Sequence, residues 1–189
     1  MKTIYFGLGT NLGDRIKNLH EAIDKLKTIG NIERISSIYE TKAWGGIEQP
    51  DYLNACVKMK LFEEMAPIEI LRTIKNFERE LGRIESVRWG ARKIDIDILL
   101  IDDEIYHSEE LDIPHIMIPE RLFVLVPLSE ILPSSWRHPV NGKTVKEMIA
   151  ALSYEEQPVK SACFASSIFT EYITLPAPAY SLKFPSSSH

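Results

Sequence analysis

Residues 93 to 101 read KIDIDILLI, and this stretch limits the fold more sharply than its neighbours do. Ile94, Ile96 and Ile98 alternate with Asp95 and Asp97, the period of two that belongs to a β-strand with one buried face. On such a strand the two acids share a face, with Cα atoms roughly 6.5 to 7 Å apart. Carboxylates at that spacing repel unless something positive lies between them. A hard divalent cation such as Mg2+, which takes carboxylates together with phosphate oxygens and water, is one solution. A half-exposed strand whose outer face simply carries solvated acids is the other.

The surroundings of the pair are basic. Arg83, Arg88, Arg92 and Lys93 lie close in sequence, and Trp89-Gly90 occupies the turn that leads into the strand. Metal-holding acids beside guanidinium groups suit phosphoryl transfer, in which metal bridges phosphate oxygens and Arg neutralises moving charge. Salt bridges from these arginines to Asp95 and Asp97 are the competing reading.

The rest of the chain supplies an order. Residues 2 to 8 read as a strand, and "GTNLGD" turns the chain and offers caps for a helix. Ile16, Leu19, Ile23 and Leu26 form that helix's apolar stripe. "ERISSIYET" and "LNACVKMKLF" have strand character, with a loop, "KAWGGIEQPDY", between them. Pro67 opens a second helix, striped by Ile70, Leu71, Ile74, Phe77 and Leu81 and stopped by Gly82. With the acid-bearing strand the order is βαββαβ, which predicts a ferredoxin-like core in an α+β protein, a three-layer α/β/α sandwich. "IPERLFVLVPLSEILP" reads as a short helix interrupted at Pro127, and "NGKTVKEMIAAL" as a turn and a further helix on the sheet. The expected domain is residues 1–152, followed by a surface-lying or disordered extension, 153–189, where prolines accumulate.

The composition excludes several classes. A net charge of −5 and a pI near 5.6 argue against a chain that coats nucleic acid or anionic lipid. No run approaches the roughly 18 apolar residues of a membrane span, and the N-terminal apolar run is too interrupted for a signal peptide. Cys56 and Cys163 are far apart and form no metal-binding pair. A cytoplasmic, reducing setting and a monomer are expected. "GLGTNLGD" places its third glycine one position too late for a dinucleotide fingerprint, and no P-loop is present. His115 and Arg121, taken alone, read as structural or surface residues. Trp44, Tyr52, Asn54 and Phe123 offer aromatic walls and an amide that both donates and accepts, which suits a planar heterocycle, although core packing accounts for Trp44 and Tyr52 equally well.

Four segments in order, "GLGTNLGDR", "YETKAWGGIEQPDYLNA", "ELGR…VRWGARKIDIDILL" and "IPH…R.FVLVPLSEILP", make residues 4 to 133 resemble the 6-hydroxymethyl-7,8-dihydropterin pyrophosphokinase family. The resemblance implies transfer of diphosphate from ATP to the pterin's hydroxymethyl group, leaving AMP. It implies that Asp95 and Asp97 hold two Mg2+ ions. Arg83, Arg92, His115 and Arg121 would serve the phosphates, Arg88 and Trp89 the nucleotide, and Ile98 and Leu111 the adenine. Thr41, Trp44, Tyr52, Asn54 and Phe123 would form the pterin pocket. ATP and the pterin are the expected partners, with neither nucleic acid nor membrane involved. Other readings are a different Mg2+-dependent phosphotransferase and a degenerate relative that binds without turnover.

The sequence also departs from that family. Glu85 stands where Arg is usual, and Ala43, Ala91 and Ile116 where Pro is usual. Losing Pro restores a backbone torsion, so the segment leading to Arg92 is less pre-organised. Ala91→Pro is expected to tighten ATP binding modestly in titration calorimetry; unchanged or weaker binding would count against this.

Overall fold

The alternation in "TIYFGLGT" sends Ile4, Phe6 and Leu8 to one side of β1 (Thr3–Thr10) and Tyr5, Gly7 and Gly9 to the other. The structure, a computed structural model, describes residues 1–43, 49–83 and 91–162. Trp44, Glu85, Arg88, Trp89 and Cys163 therefore lie outside the described residues. After β1 the chain turns through Gly13, whose φ is +65°, and Asp14 caps α1 (Arg15–Leu26) by accepting from the Lys17 N–H at 3.0 Å. β1 runs through Gly9 to Thr10, so the turn begins two residues later than the sequence suggests.

β2 (Gly30–Ile35) and β3 (Tyr39–Thr41) replace the single strand expected in "ERISSIYET". Both pair with the long β4 (Tyr52–Leu61), β2 along its second half and β3 along its first. Between them, the Ser36 hydroxyl accepts from the Cys56 N–H at 2.8 Å, which satisfies a ladder donor across the break. α2 (Pro67–Glu80) follows, with Glu69 reaching back to the Ala66 N–H at 2.8 Å, and then β5 (Asp95–Ile101). The main sheet runs β5-β1-β4-β3, with β2 beside β3 on β4, and these pairings are antiparallel. This is the ferredoxin-like α+β arrangement.

α1 and α2 cover one face of the sheet, where Leu19, Ile23, Ile70 and Ile74 pack on Ile4, Phe6, Val57 and Ile96. After a small ribbon, β6 (Tyr106–His107) with β7 (Asp112–Ile113), and a 3-10 turn, α3 (Leu122–Ile131) and α4 (Val145–Ala150) cover the other face. Pro127 lies inside α3 and does not interrupt it. Its lost backbone bond is offset because Val124, Leu125, Val126 and Leu128 are all buried around it, as befits a helix that is apolar on every side. Cys56 is buried among the same residues. Among the described residues, no helix is long and apolar enough to cross a membrane.

The chain does not leave the fold at Ser153. β8 (Val159–Ser161) pairs with β3 at the sheet edge, Val159 opposite Thr41, and Val159 is buried. Residues 159–161 thus extend the sheet edge beyond the expected domain boundary at 152, while most of 153–162 stays at the surface. The apolar Val159 and an unpaired edge at β3 account for this pairing.

Gly30 marks the tightest approach in the sheet, since a Cβ there would lie 2.5 Å from the Lys60 carbonyl oxygen. Gly30→Ala should cost about 1–3 kcal/mol in urea unfolding through this overpacking. An unchanged midpoint would show that β2 can shift away from β4.

Candidate active site

One row across the sheet sets the cleft. Gly9 is paired with Asp95 of β5 on one side and with Asn54 of β4 on the other, and Gly7 is paired with Asp97. A side chain at Gly9 would meet the Asn54 Oδ1 at 3.4 Å and the Asp95 Cβ at 4.0 Å, so the glycine leaves the floor open between acid and amide. Strand alternation puts Ile96 and Ile98 under α1 and α2 and turns Asp95 and Asp97 to the opposite face, beyond the start of α3. The resulting cleft has a volume of about 250 Å³ and brings together nine of the residues anticipated from sequence: Thr41, Tyr52, Asn54, Arg92, Asp95, Asp97, His115, Arg121 and Phe123. Lys42 and Gln49 join them.

Asp95 is clamped. Arg83 donates to its Oδ1 and Arg92 to its Oδ2, each at 2.7 Å. The arginine–acid pairing considered from sequence is therefore present at Asp95. Asp97 differs, having no hydrogen-bond or ion-pair partner among the described residues. Burial pushes its carboxyl up from the ordinary value, the nearby Asp95 charge adds to this, and Lys75 and Arg121 partly offset it. Burial likewise lowers the proton affinity of Arg121, with the two acids opposing, and that of His115, with Arg121 adding to the effect. The His115 Nδ1 accepts from the Met117 N–H at 3.1 Å, so the neutral ring carries its proton on Nε2 as a donor.

Several positioning residues gave no sequence signal. Glu78 of α2 is 1% exposed, pairs with Arg83, and accepts from the Ile96 N–H at 2.8 Å. It therefore holds both the guanidinium and the strand segment between the two acids; breaking such a buried pair costs about 3–5 kcal/mol. A lone Glu on a helix striped with Lys and Arg looks like an ordinary surface charge. Asn11 is buried and accepts from the Arg92 N–H at 2.7 Å while donating to the Gln49 Oε1 and the Pro50 carbonyl, both at 3.1 Å. Thr10 donates to the Lys93 carbonyl at 2.5 Å. The "GTNLGD" segment thus braces the Arg92 backbone as well as capping α1. Asn54 Nδ2 donates to Thr41 Oγ1 at 2.9 Å, and the Arg121 guanidinium carbon lies 5.6 Å from the Phe123 ring centroid.

Ile98 and Leu111, which the resemblance places near the adenine, are not among the residues lining this cleft. Both are buried in the cluster under α1 and α2, and alternation turns Ile98 away from the face that carries Asp97. Arg83 stands just behind the lining, on Asp95.

Paired acids, guanidinium groups and an aromatic wall with an amide in one cleft of a ferredoxin-like sandwich define a phosphotransferase of the α+β class. A family model described as 7,8-dihydro-6-hydroxymethylpterin-pyrophosphokinase matches residues 5–133. The 2-amino-4-hydroxy-6-hydroxymethyldihydropteridine pyrophosphokinase of Aquifex aeolicus is 46% identical over 147 residues, 78% of this chain and 90% of that one. Its counterpart from Synechocystis is 41% identical, covering 76% and 72%. The solved Plasmodium falciparum HPPK-DHPS with pteroate superposes with a TM-score of 0.62 at 17% identity, over 79% of this chain and 42% of that longer one, and so supports the fold. The chain belongs to the 7,8-dihydro-6-hydroxymethylpterin-pyrophosphokinase family. It is a pyrophosphokinase, moving diphosphate from ATP to the hydroxymethyl group of 6-hydroxymethyl-7,8-dihydropterin in folate biosynthesis.

The Asp97 carboxyl binds its proton more tightly in the folded chain than in the unfolded one. Its ionised form therefore subtracts stability as pH rises from the ordinary carboxylate range through the raised value. Asp97→Asn should raise the melting temperature of the ligand-free protein by several degrees at pH 8, a gain that shrinks as the pH is lowered toward 4. A variant less stable than wild type at pH 8 would contradict this.

Proposed function

We propose that the cleft on the β1, β4 and β5 face is where this transfer occurs, with the acids at one end and the pterin at the other. The observation that carries this reading is the convergence of Asp95 and Asp97 with the Asn54–Thr41 pair and Phe123 in a single cleft. In the reaction the pterin's hydroxymethyl oxygen attacks the β-phosphorus of ATP, the bond from that phosphorus to the α,β-bridging oxygen breaks, and AMP leaves. No covalent nucleophile on the protein is required, so positioning and electrostatics supply the acceleration.

Asp95 and Asp97 are the residues that would hold the two Mg2+ ions that the family resemblance implies. Asp97 has an unpartnered carboxylate facing the cleft, and Asp95 holds guanidinium groups that the triphosphate would draw to itself. Mg2+ is typically held by one or two carboxylates together with phosphate oxygens and water. Asp95 and Asp97 would hold the ions, which would neutralise charge on the triphosphate. Arg83 and Arg92 would turn from Asp95 to the phosphates, and Arg121 and the His115 Nε2–H would donate to the transferred group. The resemblance also assigns Arg88 and Trp89 to the nucleotide and Trp44 to the pterin, all three outside the described residues. At the other end Thr41 and Asn54 bond the edge of the pterin, while Tyr52 and Phe123 flank its faces. The enzyme works as a cytoplasmic monomer on these two substrates, without nucleic acid or membrane.

Chromatographic detection of AMP from ATP, Mg2+ and the pterin tests the assignment. Wild type should give pterin-dependent AMP, Asp97→Ala should lose at least about a thousandfold of the rate, and Asn54→Ala should raise the pterin KM more than the ATP KM. Undiminished AMP from Asp97→Ala would place the metal elsewhere.

A further inference from the structure

The segment after residue 152 has a role in the cleft that neither the family match nor the cleft lining includes. Gln157 donates from Nε2 to the Glu120 carbonyl and accepts at Oε1 from the Leu122 N–H, both at 2.9 Å. These two bonds flank Arg121 on either side. α3 begins at Leu122 with no side-chain cap of its own, so the Gln157 amide satisfies one of the donors left open at the start of that helix. Two residues further on, Val159 pairs with Thr41 and is buried. A small void of about 40 Å³ between Thr41, Phe123, Gln157 and Val159 separates this segment from the back of the cleft wall.

Residues 157–161 therefore touch both sides of the pterin end: the Arg121–Phe123 side through Gln157, and the Thr41–Asn54 side through β8. We propose that Gln157 is a positioning residue for the reaction. By gripping the backbone on both sides of Arg121, it fixes Phe123 as the pterin wall and holds the Arg121 guanidinium between that wall and Asp97. This inference rests on the reading of the cleft given above. Its physical basis is that this amide adds two bonds flanking Arg121 to the turn and helix bonds already there, and a displacement of about 1 Å at such a wall costs up to about a hundredfold in rate.

The test is Gln157→Met, which keeps length and bulk and loses both hydrogen bonds. With ATP and Mg2+ saturating, the pterin KM should rise about tenfold and kcat fall several-fold, in keeping with two lost bonds. Val145→Ala in α4, which removes buried apolar contact away from the cleft, should lower the melting temperature and leave both constants unchanged. In the Gln157→Met, Phe123→Ala double variant the effect on pterin KM should be smaller than the product of the two single effects, because both act through the same wall. Active wild type with an unaltered Gln157→Met variant, or strictly multiplicative effects with Phe123→Ala, would overturn the proposal alone. Wild type without pterin-dependent AMP would overturn the reading of the cleft and this inference with it. Should Gln157→Met not fold, native hydrogen exchange at the wild-type Leu122 amide decides: protection supports the clasp, and exchange as fast as an exposed amide rejects it.

Discussion

A slip of one residue between β1 and either neighbour would turn the acids under α1 and α2 and bring Ile96 and Ile98 into the cleft. The register of β1 is thus the constraint on which the site rests. Apolar side chains hold it: Ile4, Phe6 and Leu8 on one face, Tyr5 on the other, with Leu53, Ala55 and Val57 of β4 beside them. Because β1 is central, paired on both edges, it transmits one alignment to Asp95, Asp97 and Asn54 together. Gly7 and Gly9 give up side-chain packing in that strand, and the space they leave is the floor of the cleft.

On that floor the electrostatics are arranged for exchange. Asp95 has its oxygens bonded to two arginines, and Arg83 is held from behind by the buried Glu78. Asp97 faces the cleft without such a partner, and burial disfavours its charge. One acid is paired on both oxygens and the other has no such partner among the described residues. On the proposed reading, arrival of ATP with a divalent cation would relieve the unfavourable charge at Asp97 and give the arginines a better acceptor, so one event would improve both. The lowered proton affinity of His115 keeps its ring neutral near pH 7, where Nε2–H can donate without adding charge.

The departures from the family pattern have a partial structural account. Ala91 precedes Arg92, whose backbone is held by Asn11 through bonds in both directions, Arg92 N–H to the Asn11 side chain and Asn11 N–H to the Arg92 carbonyl. The brace acts on the Arg92 backbone itself. Ile116 is exposed, where a ring would make little packing difference.

Much of this was legible along the chain because it depends on short-range periodicity. Period two in "KIDIDILLI" determined a strand with paired acids on one face, and the three-four spacing of Leu19, Ile23 and Leu26 determined α1. The family resemblance, rather than spacing alone, implied which residues to suspect, from Thr41 to Phe123. What only the tertiary structure decided is which of them meet. Glu78 looks like surface charge until α2 packs against β5, Gly9 looks like a turn until β1 is paired on both sides, and Gln157 sits in a Pro-containing stretch that looks like tail. Ile98 and Leu111 stand near functional residues in sequence, yet side-chain alternation sends Ile98 to the other face of the sheet. Local pattern specifies elements and faces; hydrogen bonds and burial between residues 35 to 81 positions apart are created only when the sheet closes and the helices cover it.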